Sequence, residues 1–234
     1  MHEISIPQSV IDRVVARRGR AHVWDDLDPA RSALVVIDMQ NGFMLPGVAH
    51  SLCETAVETV PNINAIAAAL RAAGGQVVWV QNRFTEESRQ SWSNAHLMVG
   101  AERTERRADA MREGSKGHEL WADLEVLPQD LIVQKERFSA FIEGSSDIEA
   151  ILRARGIDTV IICGTVTNVC CESSARDAMM RNFKVIFVSD GNSAQTDEEH
   201  NATLISMYLT FADVMSTEYL IGRIRRPDRA LAAQ

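Results

Sequence analysis

The chain has 234 residues, 46% hydrophobic and 24% charged, with a net charge of −8 at neutral pH. That length suits one substantial α/β domain, the acidic balance argues against a nucleic-acid or anionic-membrane partner, and no apolar stretch approaches the ~20 residues of a membrane span. Cys53, Cys163, Cys170 and Cys171 show neither a disulfide-scaffold nor a C-x-x-C zinc spacing, and residues 1–9 lack the apolar segment of a secretory signal, so a cytoplasmic protein with reduced thiols is expected.

Residues 1–30 read as a polar extension with a short amphipathic helix near Ser9–Arg17, an arm expected to pack on a neighbouring subunit or on the back of the domain. The domain itself is expected over 31–224, with a polar tail at 225–234. Residues 33–39, A-L-V-V-I-D-M, form a near-continuous apolar run, as in a parallel strand covered on both faces. Asp38 interrupts that run near its end, where a carboxylate is costly unless paired or functional. A helix follows from Pro61 to Ala73, with Ile63, Ile66, Ala67 and Leu70 on one face and Gly74-Gly75 as its stop. Residues 76–81 make the second strand.

Residues 85–118 are strongly charged and weakly periodic, a lid-like insertion that Trp92, Asn94, His96 and Met98 are placed to line. The third strand, 130–134, ends at Lys135. A helix opened by the capping box Ser146-Asp147-Ile148-Glu149 closes at Gly156. Strand four spans 159–163, and a helix carrying Cys170-Cys171 runs to Asn182. Strand five, 184–189, ends at Asp190-Gly191. A helix from Thr196 to about Tyr208, a short strand at 213–216 and a last helix complete the chain.

Strands alternating with helices give a doubly wound parallel sheet with right-handed crossovers. Parallel strands bring their carboxyl ends to one edge, so Asp38, Lys135 and the cysteine pair converge there. An acid, a cation and a thiol make a nucleophilic site: lysine and helix dipole favour the thiolate, and the aspartate takes the thiol proton and passes it to a leaving amine. Backbone N–H groups of the Gly164–Cys170 turn are placed to form an oxyanion hole. The competing reading is a structural Asp–Lys pair beside an inert buried cysteine. Adjacent helical residues point about 100° apart. Cys171 shares the stripe of Ala175, Ala178 and Met179, an apolar inward face, which leaves Cys170 as the nucleophile.

Three ordered stretches carry a family resemblance: I-D-M-Q-N-G-F (37–43), K-E-R-F-S-A-F (135–141) and G-T-V-T-N-V-C-C-E-S-S-A-R-D-A (164–178). Over roughly residues 30–222 the chain resembles the isochorismatase-like cysteine hydrolases, and T-N-V-C-x-E-S with Gln81-Asn82 looks most like the ureidoacrylate amidohydrolases and related ureide and carbamoyl hydrolases. The resemblance implies a Rossmann-like three-layer α/β/α fold with a mainly parallel six-stranded sheet, and an Asp-Lys-Cys triad at Asp38, Lys135 and Cys170. It also implies a cis peptide between Thr165 and Val166, and an oxyanion hole from the amides of Val166 and Cys170. Nicotinamidases of this family carry an Asp-x-His metal site after the second strand. Here Gln81-Asn82-Arg83-Phe84 stands there, so neither a metal nor another cofactor is expected.

The resulting expectation is a cysteine amidohydrolase acting on a small amide, ureide or carbamoyl compound through a thioester, as a homo-oligomer (dimer or tetramer). The alternatives are a hydrolase of an ester or vinyl ether on the same scaffold, and a thiol redox sensor built on the vicinal cysteines. Candidate substrate-binding residues are Gln40, which either lines the pocket or ties loops together, Phe43, Phe138 and Phe141 as an apolar wall, Trp92 in the insertion, and Asn82, whose amide matches a ureido group.

Overall fold

The computed structural model describes residues 1–225; residues 226–234, nearly all of the expected polar tail, lie outside the described residues. Six strands, β1 (Ser32–Ile37), β2 (Gln76–Asn82), β3 (Leu131–Lys135), β4 (Thr159–Thr165), β5 (Lys184–Ser193) and β6 (Asp213–Met215), pair in parallel in the order β3-β2-β1-β4-β5-β6. Between them run α1 (Gln8–Arg18), α2 (Asn41–Met44), α3 (Ala56–Ala72), α4 (Glu86–Ser91), α5 (Ser93–Val99), α6 (Ala101–Ala110), α7 (Ile148–Ala154), α8 (Glu172–Met180), α9 (Asp197–Ser206) and α10 (Thr217–Ile224). This is the expected Rossmann-like α/β/α sandwich, with its sheet wholly parallel. None of the described helices is long and apolar enough to cross a membrane.

Side-chain alternation divides β1 between two cores. Ala33, Val35 and Ile37 face α1, α7, α8 and α9, whereas Leu34 and Val36 face α3 and α10. Because both faces are covered, all six residues of β1 are buried, which is why the strand reads as an unbroken apolar run.

Several boundaries differ from expectation for identifiable reasons. Helix α3 begins at Ala56 and carries Pro61 inside it, because Ala56, Thr59 and Val60 are buried and extend the apolar face by a turn and a half. The Asp190-Gly191 pair does not end β5. The register shifts between Ile162 and Gly164 and pairing resumes to Ser193, with Asn192 Nδ2 donating to the carbonyls of Ile162 (2.9 Å) and Val188 (2.7 Å) to stitch the irregularity. The weakly periodic insertion holds the short helices α4, α5 and α6. The N-terminal arm lies on its own domain: Arg18 donates to Tyr208 O at 2.7 Å, and Arg17 donates to Leu209 O.

Gly164 fixes how closely β1 and β4 approach at their carboxyl ends. It pairs with Ile37 at φ 128°, and a Cβ there would lie 2.1 Å from Ile37 O. Both the dihedral and the overlap exclude a side chain. Gly164→Ala is expected to cost at least about 2 kcal/mol in chemical denaturation, the damage falling beside Asp38.

Candidate active site

The chain leaves β1 toward β2 and β3, then returns on the other side of β1 as β4. The crevice between β1 and β4 is therefore the topological switch point, where open α/β sheets take ligands. Asp38, just past β1, has φ 56° and donates its amide to Val80 O at 2.9 Å; a non-glycine residue in this region is held by its surroundings. Past β4, the Thr165–Val166 peptide is cis. A π turn over Thr167–Cys171 then leads into α8, with the Cys171 amide reaching Val166 O at 3.3 Å. Such turns recur at functional sites because they displace one residue from the regular helical face. Lys135, the last residue of β3, reaches past β2 to place Nζ 2.8 Å from Asp38 Oδ2 and 2.9 Å from Arg137 O. Neither charged side chain of the pair has any solvent exposure.

Burial governs the electrostatics. It pushes the Asp38 carboxyl up from its ordinary range, against the opposing pull of the Lys135 ammonium. Burial likewise pushes the Cys170 thiol up, to about 12; the Asp38 charge adds to the rise, and Lys135 and Arg107 oppose it. This corrects the expectation of a dipole-lowered thiol. The helix opening does not outweigh a buried site holding a carboxylate, so the resting group is a neutral thiol beside the Asp38 carboxylate. Cys171 is fully buried in the packed layer among Ala175 and Ala178, and burial raises its thiol too.

Cys170 opens into a cavity of about 220 Å³ lined by Phe43, Asn82, Phe138, Val166 and Val169, with His50, His96, Arg103 and Arg107 completing the wall. Of the expected substrate-binding residues, Phe43, Asn82 and Phe138 are on this wall. Gln40 is not. It is wholly buried, and its amide ties Asn82 O (3.1 Å), His118 O (2.8 Å) and Asn82 N (2.7 Å), so it braces loops. Phe141 packs edge-on to Phe183 in the core, because the chain turns inward at Ala140. Trp92 stands behind the wall, edge-on to Phe138 at 4.7 Å and 5.3 Å from the Arg107 guanidinium. Asn94 and Met98 are exposed. His118 is buried, with Nε2 2.9 Å from Gln134 Oε1.

Sequence reasoning placed His96 along the insertion's lining, where it does meet the cavity, but missed His50, Arg103 and Arg107. One signal was available: Arg103 and Arg107 are four apart on α6 and share a helical face. Among the described residues, no group of three or more His, Cys, Asp or Glu side chains is placed to hold a metal.

A buried network underlies the turn before Cys170. His200 Nε2 donates to Ser189 O (2.9 Å), so Nδ1 accepts from the Thr167 hydroxyl (2.9 Å). His2 stacks on His200 at 4.4 Å and lies 2.6 Å from Asp197. Burial pulls His200 down to about 4 and His50 down to about 3. Between these values and the ordinary ~6.5 the unfolded chain binds protons that the native chain refuses, so stability falls as pH falls. Each histidine is expected to remove on the order of 2 kcal/mol by pH 4.5. Denaturation across pH 7 to 4.5 measures this slope, which His200→Asn should flatten.

Residues 32–219 match the isochorismatase domain family. Similar solved structures include a cysteine hydrolase from Pseudomonas syringae pv. phaseolicola 1448A (28% identity, 88% of this chain and 97% of that one, TM-score 0.75). An isochorismatase family protein from Desulfovibrio vulgaris is 31% identical over 84% of this chain and 99% of its own, with a TM-score of 0.70. N-carbamoylsarcosine amidase from Thermoplasma acidophilum is 26% identical, covering 80% and 97%, with a TM-score of 0.64.

Proposed function

We propose that this chain, which belongs to the isochorismatase family, is a cysteine-dependent amidohydrolase that cleaves the C–N bond of a small amide, ureide or carbamoyl compound. The observation that carries the reading is the thiol of Cys170 on the wall of a small cavity, beside a buried carboxylate that is itself paired to a buried lysine. A structural ion pair alone gives no reason for a cavity to open at that thiol. The similarity to an enzyme named N-carbamoylsarcosine amidase supports a C–N bond as the target.

Cys170 Sγ attacks the substrate carbonyl carbon as its proton passes to Asp38. The elevated carboxyl pKa suits a general base working near neutrality, and concerted transfer avoids a free thiolate in a site that disfavours one. The carbonyl oxygen becomes an oxyanion held by the amides of Val166 and Cys170, a preorganised arrangement typically worth 10²–10³ in rate. Asp38 then protonates the nitrogen, the C–N bond breaks, and ammonia or an amine leaves a thioester on Cys170. Water, losing a proton to Asp38, adds to the thioester. The C–S bond breaks, the acid departs, and the proton returns to sulfur. Lys135 keeps Asp38 oriented and charged between these transfers.

The test is ammonia release from a panel of small ureides, carbamates and primary amides, with intact-mass detection of the acyl group on Cys170 during turnover. Ammonia release with an acyl adduct on Cys170 is the expected result. Full turnover by a Cys170→Ala variant would sink the assignment, and release of an alcohol or enol without nitrogen would move it to another bond.

A further inference from the structure

Helix α9 supplies no group to the proposed mechanism, yet it grips both ends of the turn that presents Cys170. His200 and Thr203 stand three positions apart and so share one face of α9. At the start of the turn, Thr167 donates its hydroxyl to His200 Nδ1 at 2.9 Å. Just past its end, Glu172 Oε2 accepts from the Thr203 hydroxyl at 2.7 Å. Thr167, His200 and Thr203 are all buried. Asp197 and Asn201, on a more exposed face of the same helix, are held by the N-terminal arm. His2 lies 2.6 Å from Asp197 Oδ1, and Asn201 accepts from Ser5 N at 2.7 Å while donating to Glu3 O at 2.8 Å.

The hydrogen-bond polarity runs one way. His200 Nε2 donates to Ser189 O on β5 at 2.9 Å, so Nδ1 offers only a lone pair and fixes the direction of the Thr167 hydroxyl. A threonine hydroxyl without such an acceptor bonds to nearby backbone carbonyls and bends the turn it sits in. Here the neighbouring carbonyl, Val166 O, accepts instead from the amides of Val169 (3.0 Å) and Cys171 (3.3 Å). A phenylalanine at 200 would fill the same space and keep the stack on His2, without two polar atoms that are costly to leave unpaired. What the imidazole adds is a fixed donor and acceptor, which tie the turn through α9 to the sheet.

We propose that His200 is a positioning residue for the reaction: acting through the Thr167 hydroxyl, it holds the turn so that the amides of Val166 and Cys170 point at the developing oxyanion. This rests on the oxyanion hole of the proposed mechanism and not on which bond is cleaved. Oxyanion donors act at about 2.7–3.1 Å from where the charge forms, and a misplacement of about 1 Å costs on the order of 10²-fold. Attack by the same sulfur on a saturated carbon makes no such demand, because no oxyanion forms.

Two reagents that react at Cys170 separate the two demands. With p-nitrophenyl acetate the sulfur adds to the carbonyl carbon as its proton passes to Asp38, the tetrahedral oxyanion collapses, p-nitrophenolate leaves, and an acetyl thioester remains. With iodoacetamide the sulfur displaces iodide, the proton again passing to Asp38. The readouts are p-nitrophenolate release and peptide-mass labelling of Cys170, with Cys170→Ala as the blank. Thr167→Val, which keeps the side-chain shape, and His200→Phe are each expected to slow acylation by about tenfold or more, while alkylation changes by no more than about twofold. Thr167→Ser keeps the hydroxyl and is expected to return acylation to within about threefold of wild type. The double variant is expected to be no slower than the slower single variant, because both changes cut the same link.

Equal slowing of both reactions in Thr167→Val, or acylation left at the wild-type rate, overturns the proposal. If His200→Phe does not fold, Thr167→Val and Thr167→Ser decide it alone. A split between the reagents with no ureide or amide turned over retains the positioning role and overturns the amidohydrolase reading. Equal slowing in an enzyme that does hydrolyse ureides does the reverse. A wild type that p-nitrophenyl acetate leaves unacylated at Cys170 overturns both, whether or not iodoacetamide labels it.

Discussion

In an Asp38→Asn variant, turnover is expected to fall by about 10²–10⁴-fold, the usual worth of a positioned general base, while the Cys170 thiol becomes more acidic. The two effects have opposite implications for reactivity. Burial raises the thiol first and the Asp38 charge second, with Lys135 and Arg107 opposing. Removing the carboxylate deletes a raising influence and leaves both cations, so the alkylation midpoint of Cys170 moves to lower pH. A model in which the site works by holding a ready-made thiolate predicts the reverse, with asparagine making the thiol less reactive and turnover following it down. The pH dependence of Cys170 alkylation by a neutral reagent, set beside kcat/KM, separates the models. An unchanged or raised midpoint would sink the concerted mechanism. The measurement reads the folded protein directly, so a modest loss of stability does not obscure it.

The sequence carried the sheet edge well because its signals are local and strong. Apolar runs ending at Asp38, at Lys135 and before Cys170 place those residues on one edge once strands are parallel, whatever the details of the crossovers. The protonation of the thiol was not legible. Helix-terminus reasoning counts one favourable dipole, whereas the pKa is set by burial and by a carboxylate more than 130 positions earlier in the chain. The insertion failed for a different reason. Helices of six to ten residues such as α4, α5 and α6 hold together by packing rather than propensity, so their charged sequence shows little period. Arg107 stands in a run of charges, and only the fold brings it within 5.8 Å of the Phe84 ring and 5.3 Å of the Trp92 ring. Gln40 and Phe141 illustrate the remaining ambiguity. A polar residue after a strand and an aromatic in a motif fit a pocket and a brace equally well, and only three-dimensional contacts decide between them.

Lys135→Met is expected to cost about 3–5 kcal/mol at pH 8, the penalty for leaving one member of a buried ion pair alone. Methionine keeps most of the apolar stem volume, so the loss reports the charge. Its pH dependence follows from Asp38. Burial already raises that carboxyl, and Lys135 is the largest opposing influence, so removing the lysine raises it further. A carboxyl with a raised native pKa holds a proton that the unfolded chain has released above about pH 4, so stability falls as pH rises from there through the native pKa. The variant is therefore expected to be least stable at alkaline pH and to recover part of its loss toward pH 5, before protonation of the buried histidines reverses the trend. Adding Asp38→Asn should restore stability, because a neutral amide needs no counter-charge. Removing Asp38 alone should instead destabilise the protein by stranding the Lys135 ammonium. Chemical denaturation of the two single variants and the double variant gives the coupling directly. Additive losses, or a Lys135→Met penalty independent of pH, would show that the two groups do not form the charge pair on which the proposed proton transfers depend.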